Sequence, residues 1–186
     1  ELRHMVTVFL ANGFEEMEAL APVDLLRRAG IAVQTAAVSE DGSRWITGSH
    51  GITVQCDVTA KEVSEQEMEM LVLPGGLPGT TYLDASPEVD RWLRYASEKG
   101  IFVGAICAAP SVLGNRGLLD GRRAVSFPGF EPKGALICQD QGVVRDGQYI
   151  TANGAGVCLE FGLELISCLK GPEAAQRIKE GIQCQR

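Results

Sequence analysis

Three short, continuously apolar runs constrain this chain most: Met5 to Ala11, Met70 to Leu73 and Ile101 to Ile106. Runs of this kind suit strands buried on both faces of a parallel sheet. Each is cut off abruptly, by Asn12-Gly13, by Pro74-Gly75-Gly76 and by Cys107-Ala108-Ala109-Pro110. Ile31 to Val38 reads as a further strand. Between the strands lie helical stretches: Glu15 to Arg28, stopped by Gly30; Pro87 to Lys99; Ala109 to about Gly117; and Val157 to Leu169. Pro22 falls inside the first and should bend it. Gly171-Pro172 separates a last polar helix. Strand and helix alternate, which predicts one α/β domain over residues 5–186, a mostly parallel central sheet with helices on both faces.

The remaining segments are less regular. Trp45 to Ile52 is expected to form a hairpin with Gly48 and Gly51 as bends, and Val143 to Thr151 a second one around Asp146-Gly147. Asp57 to Glu69 is polar and reads as partly helical. Arg123 to Phe127 reads as a short strand, followed by a loop over Pro128 to Pro132. Glu1 to His4, ahead of Met5, reads as a vector-derived remnant.

Composition excludes several classes of function. A net charge of −7, from 17 basic and 24 acidic residues, argues against nucleic acid or an acidic membrane as the main partner. Six cysteines contain no C-x-x-C pair and only His4 and His50 could join them, so no zinc site, cofactor or disulfide framework is expected. Without a signal peptide or long apolar span, a reducing cytoplasm is the expected location.

Chemistry is expected where the strands end, because ligands of open parallel sheets bind beyond the carboxyl ends. Cys107 is offered there at a strand-to-helix turn, with small residues, Ala105 and Ala109, two positions to either side, as a nucleophile elbow needs. The following helix start should favour its thiolate. Gly75-Gly76 could aim backbone N–H groups at a ligand or be a plain tight turn. Of the three carboxylates opening the first helix, Glu15 and Glu16 should mostly be solvated. Glu18, followed by Ala19-Leu20-Ala21, is the one expected to turn inward, where burial would raise its pKa; a helix-terminal charge facing water is the alternative. A Cys-His pair would need His4 or His50, so a carboxylate is the more plausible acid or base beside Cys107.

Four blocks, Gly13-Phe14-Glu15-Glu16-Met17-Glu18, Pro22 to Gly30, Leu73-Pro74-Gly75-Gly76 and Ala105-Ile106-Cys107-Ala108-Ala109-Pro110, together resemble the DJ-1/ThiJ/PfpI superfamily, most closely its DJ-1-like branch with the bacterial ThiJ-type proteins. The likeness runs from about Met5 to Ala175. It implies a flavodoxin-like three-layer sandwich, a homodimer, an oxidation-prone Cys107, and Glu18 as its protonated partner. It also implies that Gly75, Gly76 and Ala108 supply N–H groups resembling an oxyanion hole. Arg28 and His50 match positions that line an anion pocket in close relatives, His50 replacing an arginine. The chain has Ala108 where protease-like members have histidine, which disfavours protease and amidotransferase chemistry. Phe127-Pro128 stands where some members have His-Pro, and Phe127 cannot transfer a proton. Asn153 and Ala155 depart from the Arg-Gly-Pro-Gly of some relatives.

Two functions fit the resemblance. The first is a stress-protective glyoxalase or deglycase acting on methylglyoxal or glycated amines through Cys107, with Glu18 as acid/base. The second is an oxidative-stress sensor or redox-regulated chaperone in which Cys107 is oxidised to sulfinate without turnover. The other five cysteines, Cys56, Cys138, Cys158, Cys168 and Cys184, read as structural.

Overall fold

The computed structural model describes residues 4–65 and 68–185; the first three residues of the expected remnant over residues 1–4, and positions 66–67 of the polar stretch, lie outside them. Among the described residues, seven strands form the central sheet in the order β10-β11-β7-β6-β1-β2-β5. They are β1 (Met5–Ala11), β2 (Ala32–Val38), β5 (Val58–Thr59), β6 (Met68–Leu73), β7 (Phe102–Ile106), β10 (Val143–Asp146) and β11 (Tyr149–Ala152). Neighbours are parallel except β10 and β11, the hairpin around Asp146-Gly147.

Alternation along the apolar runs explains the three layers. Val6, Val8 and Leu10 of β1, with Met70 and Val72 of β6, pack with residues of α1 (Glu16–Arg28), α5 (Cys158–Lys170) and α6 (Pro172–Gly181). Phe9 and Ala11, with Leu71 and Leu73, belong to the opposite core with residues of α2 (Gly79–Ala85), α3 (Pro87–Lys99) and α4 (Pro110–Gly114). Successive side chains of a strand point to opposite faces, so a strand covered on both sides is apolar throughout. Glycines set the closeness of the layers. A Cβ on Gly162 of α5 would lie 2.6 Å from Leu25 Cδ1 and 3.4 Å from Pro22 Cα, so α1 and α5 meet at this point. α1 runs as one helix through Pro22.

Local expectations are corrected in five places. The first hairpin pairs β3 (Trp45–Thr47) with β4 (Thr53–Gln55), so residues 48–52 are its turn, closed by Gly48 N–H to the Ile52 carbonyl at 2.9 Å. The polar stretch contributes the edge strand β5 and a 3₁₀ turn over Ala60–Glu62, and β6 already begins at Met68. The segment after Pro78, not assigned from sequence, is helix α2. Of Arg123 to Phe127 only β8 (Arg123–Ala124) is strand, paired with β9 (Leu136–Ile137); beyond it, Val125 N–H goes to Thr151 Oγ1 and Phe127 N–H to the Cys107 carbonyl. α4 ends at Gly114, where a Cβ would come within 2.5 Å of Lys133 N, so the chain after it folds back in tight turns.

β1, β6 and β7 are neighbours, and the strand order reverses between β1 and β6. Their carboxyl ends therefore open on one crevice, as expected at such a reversal.

Candidate active site

Cys107 follows the last residue of β7 and has φ 65°; with Gln183 it is one of two non-glycine residues in the left-handed region among the described residues. Such a backbone is held only where its surroundings over-determine it. Here Cys107 N–H donates to the Ala152 carbonyl at 2.8 Å, while the Cys107 carbonyl accepts from Phe127 N–H at 2.8 Å. The turn holds the thiol, partly exposed, over the crevice.

Glu18 approaches from the first turn of α1. It is 1% exposed, its Oε1 accepts Gly75 N–H at 3.0 Å, and it hydrogen-bonds the Cys107 thiol. Gly75 can only be glycine in this place. A Cβ there would sit 2.6 Å from Cys107 Cβ, 2.7 Å from Glu18 Oε1 and 2.9 Å from the Ile106 carbonyl. Gly76, at φ 89°, packs equally tightly on the turn after β1, where its Cβ would be 2.5 Å from Glu15 N.

Burial pushes the Glu18 carboxyl up to about 7, with a further rise from the Glu15 charge, against the Cys107 and Gly75 hydrogen bonds. Burial also pushes the Cys107 thiol up, to about 12, assisted by the Glu18 charge and hydrogen bond; N–H groups of Ala108 and Gly76 pull the other way without prevailing. The expectation that the following helix would favour a thiolate is thus reversed. α4 has five residues, too few for a strong dipole, and a carboxylate faces the sulfur. The two groups act as a coupled pair: the thiol proton points at an ionised Glu18, and protonating Glu18 removes the charge that disfavours the thiolate.

The expected N–H cradle is divided. Gly76 and Ala108 serve the sulfur, while the Gly75 N–H is committed to Glu18. Arg28 and His50 do not come together within the chain. Arg28 is at the far end of α1, about 18 Å of helix from Glu16, in an exposed ion pair with Asp24. His50 lies against the N-terminus of the same helix, its Nδ1 3.1 Å from Glu16 Oε1 and 3.6 Å from Glu15 Oε1. Phe127 is 47% exposed with its ring edge-on to Phe130.

Glu16 corrects the reading that it is solvated. It is 4% exposed and accepts N–H groups of His50 at 2.9 Å and Ile52 at 3.2 Å. Burial raises its pKa, but these N–H groups, its own N–H and the His50 ring outweigh burial and hold it below the ordinary value. Glu15 is the N-cap of α1, accepting Glu18 N–H at 2.8 Å. Cys158, read as structural, is close enough to Glu15 and Glu18 for both charges to raise its pKa, although burial is the larger cause. Nothing in local sequence marks Glu16 as an anchor, because its partners lie 34 and 36 residues away. Among the described residues, Glu15, Glu16 and His50 are the set with ligand atoms within 4.8 Å of one another. The Glu16 oxygens there are already taken by N–H donors, so the cluster is explained without an ion.

No helix among the described residues is long and apolar enough to cross a membrane. The model of the DJ-1/PfpI family matches residues 4–168. The chain is 35% identical over 178 residues to Protein dj-1beta of Drosophila melanogaster, covering 94% of each chain. It is 30% identical to a glutathione-independent glyoxalase of Caenorhabditis elegans, covering 86% of this chain and 84% of that one. It superposes with a TM-score of 0.90 on the crystal structure of a cysteine-to-alanine mutant of a DJ-1 superfamily protein from Salmonella typhimurium, at 35% identity and covering 97% and 98% of the two chains.

Proposed function

The chain belongs to the DJ-1/PfpI family, and from that premise we propose that it is a stress-protective thiol enzyme acting on small reactive carbonyls such as methylglyoxal, or on their adducts with amines. The observation that carries this reading is the Cys107–Glu18 pair: a thiol at a strained turn, hydrogen-bonded to a buried carboxyl that titrates near neutrality. A general acid/base works best with a pKa near the working pH.

The sulfur adds to the aldehyde carbon of methylglyoxal, and the oxygen takes a proton, giving a hemithioacetal. N–H groups of Gly76 and Ala108, which act on the sulfur, would be available to charge developing on the adjacent oxygen. Glu18 as carboxylate removes the proton from the former aldehyde carbon, giving an enediol, and returns it to the neighbouring carbon. The result is a 2-hydroxyacyl thioester. Water cleaves the thioester, releasing lactate and the free thiol, with no oxidant or reductant consumed. Phe127 supplies no proton, so Glu18 performs both transfers. The named glyoxalase among the relatives supports this reaction class.

A second reading is favoured by the same N–H groups: they would equally hold the negative charge of a Cys107 sulfinate, making the protein an oxidation sensor or redox-regulated chaperone without turnover. In either reading the protein would act as a homodimer in a reducing cytoplasm. Met17, Trp45 and Ile52, each more than half exposed on α1 and the β3–β4 hairpin, supply the apolar face for the second copy. The reaction is tested by running it in D₂O: lactate that keeps protium at C2, because Glu18 returns the proton it removed, and none above background from Glu18→Gln, is expected; undiminished lactate from Glu18→Gln would sink the assigned role.

A further inference from the structure

Of the six phenylalanines in the chain, Phe9, Phe14 and Phe161 are fully buried, while Phe127 is 47% exposed. A single exposed aromatic ring is ordinary; the attachment of this one is not. Its backbone N–H donates to the Cys107 carbonyl at 2.8 Å, so the residue is fastened to the turn that carries the nucleophile. Its ring reaches the neighbouring strand end, with Cδ2 3.7 Å from the position of a Gly154 Cβ. Gly154 lies two residues beyond Ala152, whose carbonyl accepts Cys107 N–H at 2.8 Å. Both backbone partners of Cys107 thus lead to the same ring. That ring is also braced. Phe127-Pro128-Gly129-Phe130 is a tight turn closed by Phe130 N–H to the Phe127 carbonyl at 3.0 Å, with Gly129 at φ 94°. Proline second and a positive-φ glycine third are the pattern of a type II turn, which fixes the backbone of both aromatic residues. Ser126 Oγ donates to the same Phe127 carbonyl at 3.0 Å, and the Phe130 ring stands edge-on, centroids 6.4 Å apart. The carboxylate of this loop, Glu131, accepts Gly129 N–H at 3.1 Å.

We propose that Phe127 is a specificity-determining residue: its ring selects 2-oxoaldehydes carrying an aryl or other bulky apolar substituent, of the phenylglyoxal type, over methylglyoxal. The proposal deepens the carbonyl reading given above and rests on it. Glu18 and the N–H groups of Gly76 and Ala108 take up the polar sides of the sulfur. Once the aldehyde carbon is bonded to that sulfur, the substituent sits on the next carbon, close to the turn. The side left to it is that of β7 and β11, where the Phe127 ring supplies an apolar surface held in place before substrate arrives. An aryl group gains there by apolar burial and by edge-on or offset stacking. A methyl group covers little of the ring. Phe127 thus acts on binding and moves no proton.

The test compares alkylation of Cys107 by 2-bromoacetophenone and by bromoacetone, reagents that differ as phenyl from methyl. In both, the thiolate displaces bromide, and the rate is read at Cys107 by peptide mass spectrometry at one pH. Because the ratio of the two rates is taken within one protein, the thiolate fraction cancels. Relative to wild type, the phenyl-to-methyl ratio should fall by roughly 5–10-fold in Phe127→Ala. It should stay within about 2-fold in Phe127→Tyr, which keeps the ring. Both variants retain the backbone N–H that binds the Cys107 carbonyl. The kcat/KM ratio for mandelate from phenylglyoxal against lactate from methylglyoxal should move in parallel. An alkylation ratio in Phe127→Ala equal to wild type overturns the proposal, as does one in Phe127→Tyr as low as in Phe127→Ala. Turnover with equal ratios in all three proteins would overturn this proposal alone. The expected alkylation ratios without lactate or mandelate would overturn the carbonyl turnover and leave the apolar selection by Phe127 standing.

Discussion

Cys107 and Glu18 show how far a residue can be read from its neighbours in sequence. An apolar strand, small flanking residues and a proline one turn on are local features, and they mark Cys107 as an elbow. Its protonation is not local: burial and the Glu18 charge outweigh the amides of the turn. Glu18→Gln should lower lactate formation by about 100-fold or more, the usual scale for losing a general acid/base, and should abolish the inflection near pH 7 in Cys107 alkylation. Glu18 also links stability to pH. Its pKa rises from 4.5 unfolded to about 7 folded, so the folded state binds more protons between these values. The Glu18 contribution to stability falls as pH rises through that window, by roughly 3 kcal/mol, and is level above it. Urea melts from pH 4.5 to 8 check this; Glu18→Gln should flatten the slope, and an unchanged slope would assign it elsewhere. Gly75→Ala should be as damaging as loss of the thiol, because its methyl group would occupy the contact between Cys107 and Glu18.

At the scale of elements, the segments legible in sequence are those whose own pattern decides them. α3 has Ser86 accepting Val89 N–H at its start, Pro87 in its first turn and Gly100 in the left-handed conformation at its end. α2 has none of these caps. Its helical turn depends on the Gly76 carbonyl accepting Thr80 N–H and Oγ1, and on Gly79 fitting against the Phe14 backbone. Arg116 then ties it down, bonding Asp84 of α2 and Asp90 of α3 while only 9% exposed. The β3–β4 hairpin is likewise fixed from a distance, by Glu16. Glu16→Ala should strand the His50 and Ile52 N–H groups and cost about 2–3 kcal/mol. Chemical denaturation measures the loss, and amide exchange should localise it to the hairpin; a variant as stable as wild type with protected hairpin amides would contradict the anchoring role.

Over the whole molecule, the alternation of apolar strands and helices was sufficient for the layers, because a strand covered on both faces must be apolar on both. Convergence of β1, β6 and β7 on one crevice was not available from any single segment; it follows from strand order, with β6 inserted between β1 and β7. The same limit applies to Arg28 and His50, which family resemblance groups together and which lie at opposite ends of α1 within one chain. A homodimer of the 19.9 kDa chain is expected in sedimentation equilibrium, and Trp45→Glu should weaken it if the hairpin face carries the contact. The central claim, that the Cys107–Glu18 pair turns over a reactive carbonyl, is tested most directly by steady-state lactate formation from methylglyoxal with the wild-type protein and Cys107→Ser. Continuous lactate release over many enzyme equivalents, lost in Cys107→Ser, is the predicted result. Wild-type lactate no higher than that of Cys107→Ser would contradict it and leave Cys107 as a site of oxidation.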